Sequence, residues 1–469
     1  MVSEEIRLAP RGGGVGWLRA LAQGLGTNAP AGVTALYFVG IAGLVGADMP
    51  LIVALAFLIY LGMTLIVYEW SKIVASSYSW VAIQKKGYNS SFMAFTGGWT
   101  YFFYYFIPVF AFAMIGEATF ASLLSPSIAV SYPWLWIPIV ILLTAEAGIF
   151  VWFGIKPNLT YVLVTGISEV VFLTITSLVI IFKSGGLNTT EVFTLAPVHG
   201  NVTAIFIALV LSITTFGGLN SVIPVAEETK DPKKNIPKSL LWLALILGVP
   251  LILSAYAQTI AFGVGNMGTY AGLPDPGILI YEKVLGVGAA MVLAFFVVNS
   301  FNSALITDVN SSIRMTFGFS RDRVIFPKVF SELNKYGQPG KSGLITAIVN
   351  GVFAIVTGII LGPLVAGLFM IIWFSFYSYL NHGMAGIGLM LYHSRNKSLK
   401  VVRHVIIPLV VVAVLIAAAF YSVYPTLPGE PYTLAPVFAF LWVLAGWIIY
   451  FYMKRKDPEK MAKFGDTTL

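Results

Sequence analysis

The sequence predicts an all-α integral membrane protein of about 12 transmembrane helices, and three observations predict it. Of the 469 residues, 58% are hydrophobic and only 10% are charged, whereas a soluble domain carries roughly a quarter charged residues. So much apolar side chain needs a bilayer as its solvent. Apolar runs long enough to cross a hydrocarbon core, about 20 residues at about 1.5 Å each, recur from end to end between short polar segments. The alternating segments of about ten residues that mark a transmembrane barrel are missing. Helices also satisfy their own backbone hydrogen bonds where lipid offers no partner.

In chain order, residues 1–16 carry Glu4, Glu5, Arg7 and Arg11 and lack the apolar core of a cleavable signal, so they read as a tail. Spans are expected at 17–44, 50–73, 92–124, 134–153, 159–182 and 202–226. Six more are expected at 239–262, 277–319, 343–361, 364–392, 405–424 and 435–453. With both termini cytoplasmic, 26 of the 28 basic residues fall in or beside inside segments, and only Lys183 and Lys283 do not. That bias follows the positive-inside rule, and an odd error in the span count would scramble it. It predicts a multi-pass protein of the cell membrane. The net charge of +8 therefore reads as a topology signal and a contact with anionic lipid, with no nucleic acid as partner.

The chain has no cysteine, which excludes disulfides, thiolate metal sites and iron–sulfur clusters. His199, His382, His393 and His404 are expected at loops and helix ends and have no metal-ligand spacing. No phosphate-binding glycine loop with a following lysine occurs, so ATP-driven pumping is not expected. A catalytic dyad within the spans is absent as well. The sequence reads as a non-enzyme with no cofactor, whose only ion would be a coupling proton or sodium.

Two spans are interrupted. In the first, Gly24-Leu25-Gly26-Thr27-Asn28-Ala29-Pro30-Ala31-Gly32 breaks an apolar helix. Glycine relaxes the steric bias toward helix, and Pro30 lacks an N–H but suits the first turn of a new half-helix. In the sixth, Thr214-Thr215-Phe216-Gly217-Gly218-Leu219-Asn220 plays the same part, with Pro224 shortly after. Broken helices at matching positions of two repeats point to a transporter site. Unwinding exposes N–H groups that attract a carboxylate and carbonyls that attract an ammonium or cation, and an amino acid has both groups. The competing reading of these glycines is a packing face for close helix approach.

The segment after the sixth span contains Phe216-Gly217-Gly218-Leu219-Asn220, Ala226-Glu227-Glu228-Thr229-Lys230-Asp231-Pro232 and Ile236-Pro237. It resembles the F-x-G-x-E and E-x-x-N/D-P-x-x-x-I-P signature of the amino acid–polyamine–organocation (APC) transporters. Ser312-Ile313-Arg314 and Ser320-Arg321-Asp322-Arg323-Val324-Ile325-Phe326-Pro327 resemble that family's S-R…R-D-x-x-x-P loop. Tyr68-Glu69, Tyr78-Ser79-Trp80 and Gly97-Gly98-Trp99 resemble shorter motifs of the same family at spans two and three.

The resemblance implies a LeuT-like fold: a 5+5 inverted repeat plus two accessory helices. The repeats would cover 17–184 and 201–392, the accessory helices 402–453, and a cytoplasmic tail 454–469. It also implies that residues 29–32 take the substrate carboxylate, that 215–218 take its amino group, and that Phe216 lies over the substrate as a gate. The whole implied substrate site is Gly26, Thr27, Asn28, Ala29, Pro30, Ala31 and Gly32 with Thr214, Thr215, Phe216, Gly217, Gly218, Leu219 and Asn220. The chain departs from the family in three places. Ala29-Pro30-Ala31-Gly32 replaces a G-x-G, Asn220 replaces the glutamate of F-x-G-x-E, and Glu169 stands where several members resemble this chain but carry a lysine.

Glu117, Glu146 and Glu169 sit inside apolar runs, where a charge costs at least about 2.5–3.5 kcal/mol. Glu169 is the leading candidate to carry a proton or help bind a cation between spans one, five and eight. Glu117 and Ser303 are the further coupling candidates; hydrogen bonding between helices is the alternative for each carboxyl. Asn299, Asn302, Ser303, Asp308, Asn310, Ser311 and Ser312 make span eight polar, as an ion pathway or as helix-to-helix glue. The run 101–106 is a pocket lining for an apolar side chain, or core.

The expected function is a secondary transporter (permease) of neutral, apolar amino acids that works by alternating access, driven by a proton or sodium gradient or by exchange. A permease for polyamines or other organic cations, a non-transporting sensor and a channel are the alternatives.

Overall fold

Ala29 sets the geometry of the first span. The helix Trp17–Asn28 ends where Ala29 adopts the left-handed conformation (φ 53°, ψ 63°), and Pro30 starts the turn Pro30–Gly32. A π-helical segment, Val33–Tyr37, and the helix Phe38–Val45 complete the span. The break is thus one residue wide, and Gly24 and Gly26 lie within the first half-helix. These two glycines serve close packing instead. A Cβ on Gly24 would lie 2.4 Å from Leu243 Cδ2, and one on Gly26 would lie 2.9 Å from the Ser303 carbonyl oxygen.

This computed structural model describes residues 8, 14–123, 130–196, 201–273, 275–424 and 429–466. His199 lies outside the described residues. Among them, eleven helical segments are long and apolar enough to cross a membrane. The first of these, Trp17–Ile73, has 57 residues and would be roughly 85 Å long as one helix, far beyond a hydrocarbon core of about 30 Å. Asn28 and Tyr60 both hydrogen-bond within residues 215–217, so the chain must fold back between them. It does so at Gly46 (φ 56°, ψ −124°), before span two, Met49–Ile73. Counted as two, Trp17–Ile73 brings the candidate spans among the described residues to twelve.

Span three is Ser91–Phe106 and Pro108–Leu123, offset at Ile107, and is preceded by a separate helix Ser79–Tyr88 in the stretch left between the spans expected at 50–73 and 92–124. Spans four and five are Trp136–Phe153 and Ile155–Ser184. Span six is Val202–Thr214, then a break, then Leu219–Val222 and the 3-10 turn Ile223–Glu228. Span seven is Pro232–Phe262. The expected eighth span is corrected: Gly286 (φ 95°, ψ 166°) divides it into Pro276–Leu285 and Val287–Arg321. An apolar count could not see that division, because both pieces are apolar. Gly277 of the shorter helix rests on the half of span one that follows the break, where a Cβ would lie 3.1 Å from Ala35 Cα. Gly340–Leu361, Pro363–Arg395, Ile407–Tyr421 and Leu434–Lys456 complete the set.

Partners five apart in the chain pack together: span two on seven, three on eight, and four on nine. Span one packs on spans five, seven and eight. This pairing of equivalent helices is the LeuT-like arrangement, and it puts both broken spans at the centre of the bundle.

The family-like loop motifs meet at one end. Arg314 Nε donates to Glu228 Oε2 at 2.6 Å, with both side chains fully buried, and Gln338 Nε2 donates to Glu228 Oε1 at 3.0 Å. Arg321 pairs with Glu227 at 3.3 Å. Val15 bridges Thr229, its N–H donating to the Glu228 carbonyl at 2.7 Å. The segment before span one is thereby tied to the segment after span six.

Candidate functional site

The two breaks face each other. Asn28 Nδ2 donates to the Thr215 carbonyl at 2.8 Å, and Ser221 Oγ donates to the Gln23 carbonyl at 3.1 Å. Gly218 (φ 91°) passes so close that a Cβ there would lie 2.1 Å from the Gly24 carbonyl oxygen. Only glycine permits both that φ and that approach.

Two small cavities flank this crossing. The first, about 50 Å³, is lined by Thr27, Asn28, Ala29, Gly32, Val33, Tyr37, Tyr104, Val109, Phe112, Thr214, Gly217, Phe301, Ala304, Asp308 and Phe374. The second, about 40 Å³, is lined by Met63, Tyr104, Ile213, Thr214, Phe216, Gly217, Gly218, Leu219, Asn220, Phe374, Ser375, Ser378, Tyr379 and His382. Tyr104, Thr214, Gly217 and Phe374 belong to both walls.

The expected substrate residues therefore divide. Thr27, Asn28, Ala29, Gly32, Thr214 and Gly217 line the first cavity, while Phe216, Gly218, Leu219 and Asn220 line the second. Gly26, Pro30, Ala31 and Thr215 are buried beside them and line neither. Phe216 packs against Phe57 and Tyr60, ring centroids 5.6 and 5.4 Å away. Asn220 is held by Ser378 at 3.5 Å, its Oδ1 unpartnered.

Glu169 touches the broken helix directly. Its Oε1 accepts the Ala31 N–H at 2.5 Å and the Ser300 hydroxyl at 2.8 Å. The Gly32 N–H in turn reaches Ser300 Oγ at 3.4 Å. An amide expected to hold the substrate carboxylate is thus engaged by a carboxyl of the chain itself, at the positive end of the half-helix dipole.

A second polar cluster lies beside Glu169. Asn299 neighbours Glu169 but leaves its Nδ2 without a partner, and Tyr161 donates to Asn299 Oδ1 at 2.7 Å. Tyr161 also reaches Asn302 Oδ1 at 3.3 Å, and Asn302 Nδ2 donates to Glu146 Oε1 at 2.9 Å. Glu117 faces both Asn302 and Glu146 and keeps Oε2 unpartnered. Ser303, 2% exposed, lies between spans one and eight with an unpartnered hydroxyl. Glu117, Glu169 and Ser303 line neither cavity.

Helical spacing sorts span eight into faces. Phe301, Ala304 and Asp308 look into the first cavity. Ser300, Thr307 and Ser311 face span one and its contacts, and Asn302 faces span four. Sequence reasoning noted Asp308 only as one of several polar residues; counting its offset from the other polar positions of the helix was the available signal. His382 is a correction. It was expected at a helix end but lies within Pro363–Arg395, buried and stacked on Trp80 at 5.0 Å. Tyr104, from the aromatic run, is part of the cavity walls, whereas Tyr101 stacks on Trp80.

The profile of the family described as amino acid permease matches residues 19–463. A D-serine/D-alanine/glycine transporter of Escherichia coli (strain K12) is 26% identical over 182 residues, 36% of this chain and 37% of that protein. A branched-chain amino acid permease of Bacillus subtilis (strain 168) is 26% identical over 121 residues, 26% of this chain and 25% of that protein. An aspartate/glutamate permease of Lactococcus lactis subsp. cremoris (strain MG1363) is 24% identical over 171 residues, 31% of this chain and 35% of that protein. The matched segment thus spans between a quarter and two fifths of these curated relatives.

Proposed function

This chain belongs to the amino acid permease family, and we propose that it is a secondary transporter of neutral, mainly apolar amino acids working by alternating access. The observation that carries this reading is the crossing of the two broken helices, where Asn28 is hydrogen-bonded to the Thr215 carbonyl beside a cavity that both helices line. Unwound backbone at membrane depth is tolerated where protein or a cavity satisfies it, and it supplies the groups an amino acid's two ends require. Val33, Val109, Phe112, Phe301 and Phe374 make the wall largely apolar, which favours apolar side chains. The names of the relatives, which cover small neutral, branched-chain and acidic amino acids, agree with an amino acid as the solute class.

Coupling is assigned to Glu169, with a proton or a cation as the coupling ion. The carboxyl is buried and joined to the half-helix that must move when the site opens. Glu117 and Ser303 are assigned supporting roles on the same ion path. The distribution of basic residues supports both termini lying on the cytoplasmic side of a cell membrane, and the repeats are read as 17–184 and 201–392.

The test is uptake of a panel of radiolabelled amino acids into proteoliposomes under an imposed proton gradient, sodium gradient or neither. Gradient-driven accumulation of neutral amino acids supports the reading. Uptake confined to basic or acidic amino acids overturns the substrate class, and uptake indifferent to both gradients overturns the coupling assignment.

A further inference from the structure

Among the described residues, Asp308 is the one acidic or basic side chain on the wall of the first cavity. It is 1% exposed, and its Oδ1 has no hydrogen-bond partner. Across the same cavity, Asn28 spends its Nδ2 on the Thr215 carbonyl and leaves Oδ1 unpartnered as well. Thr27 lies beside the carboxyl, but a buried carboxyl oxygen left without a partner is costly in hydrocarbon surroundings, and two orphaned acceptors in one small space call for a ligand that brings several donors. Among the described residues, no lysine or arginine lines either cavity.

The seat expected for the substrate carboxylate is already filled. The Ala31 N–H, a natural seat for a carboxylate at a helix N-terminus, is taken by Glu169. The chain thus supplies its own carboxyl group where an amino acid's carboxylate was expected and leaves acceptors open where a cation fits.

Resting on the amino-acid reading above, we propose that the Asp308 carboxylate, with Asn28 Oδ1, is the docking point for the substrate's ammonium group, so that the ammonium end carries recognition. An ammonium presents three donors to these two acceptors in charge-assisted hydrogen bonds. The rings of Tyr37, Tyr104 and Phe374 on the same wall favour an organic cation by their negative faces. A hard metal ion wants about six oxygen ligands.

The experiment uses purified wild type, Asp308→Asn and Asp308→Glu, with binding read as ligand-induced thermal stabilisation in sodium and in potassium buffer. The probes are leucine and alanine, the corresponding amines isopentylamine and ethylamine, and the deaminated acids 4-methylpentanoate and propionate. In wild type the amines are expected to bind more tightly than the acids, a comparison that needs no variant. Asp308→Asn is expected to weaken amino acids and amines roughly 10–100-fold, the loss of a hydrogen bond to a charged group, with the acids unmoved and Asp308→Glu retaining part of the affinity. Wild type that prefers the acids overturns the assignment, as does leucine or alanine binding to Asp308→Asn within twofold of wild type. If Asp308→Asn removes only the sodium dependence of binding, the cation is a metal ion and the ammonium assignment falls. If amines bind but no amino acid does, the amino-acid reading falls while Asp308 stands; if none of the probes binds, both fall.

Discussion

Glu169 Oε1 accepts the Ala31 N–H at 2.5 Å. A carboxyl on span five therefore caps the half-helix that follows the break in span one, and the same oxygen holds Ser300 of span eight. Spans one, five and eight thus share one titratable group.

Two substitutions separate the structural and ionic roles of Glu169. Glu169→Gln keeps an acceptor for Ala31 and Ser300 but cannot carry a proton, so folding and solute exchange are expected to survive while gradient-driven accumulation is lost. Glu169→Ala also orphans a buried N–H, at a cost of roughly 1–3 kcal/mol, and is expected to melt at a lower temperature than the Gln variant. Equal melting temperatures with equal transport would remove Glu169 from both roles.

Gly218→Ala is expected to be severe. Its φ of 91° strains any other residue, and the added Cβ would lie 2.1 Å from the Gly24 carbonyl oxygen. Backbone strain alone costs roughly 1–3 kcal/mol, before the clash is counted. Gly383→Ala is the control, since a Cβ there meets nothing within 4 Å. Thermal unfolding should show a large drop for the first and almost none for the second.

Arg314 and Glu228, fully buried at 2.6 Å, make a further prediction. Removing one partner of a buried pair costs roughly 3–5 kcal/mol because the other charge is stranded. Arg314→Gln alone is therefore expected to destabilise more than the double variant Arg314→Gln with Glu228→Gln. Strictly additive melting shifts would mean that the two groups are not coupled.

The family-like loop motifs were legible in the sequence and proved to be partners, Glu228 with Arg314 and Glu227 with Arg321. The spans were legible because apolar length is a one-dimensional property. Less legible was anything set by backbone dihedrals. The break at Ala29 had been spread over 24–32, and the break at Gly286 was hidden within an apolar run. Burial and helix face, which separate Asp308 from Ser303 and bring His382 inside, depend on neighbours far away in the chain.

Because the chain lacks cysteine, single cysteines report topology without background. Cysteines replacing the exposed Lys86 and Lys397 should be shielded from a membrane-impermeant thiol reagent in intact cells. Cysteines replacing the exposed Leu187 and Gly265 should be labelled. The reverse pattern would invert the orientation drawn from the basic residues.

Solute counterflow tests the central claim most directly, because it needs no knowledge of the coupling ion. Proteoliposomes preloaded with one unlabelled neutral amino acid are diluted into a trace of the same labelled compound. Transient accumulation of label is predicted for at least one apolar amino acid, and it should be lost with Asn28→Leu, which removes the bond across the two breaks. A monodisperse, reconstituted protein that accumulates no amino acid at all would contradict the assignment of this site as a transport site for amino acids.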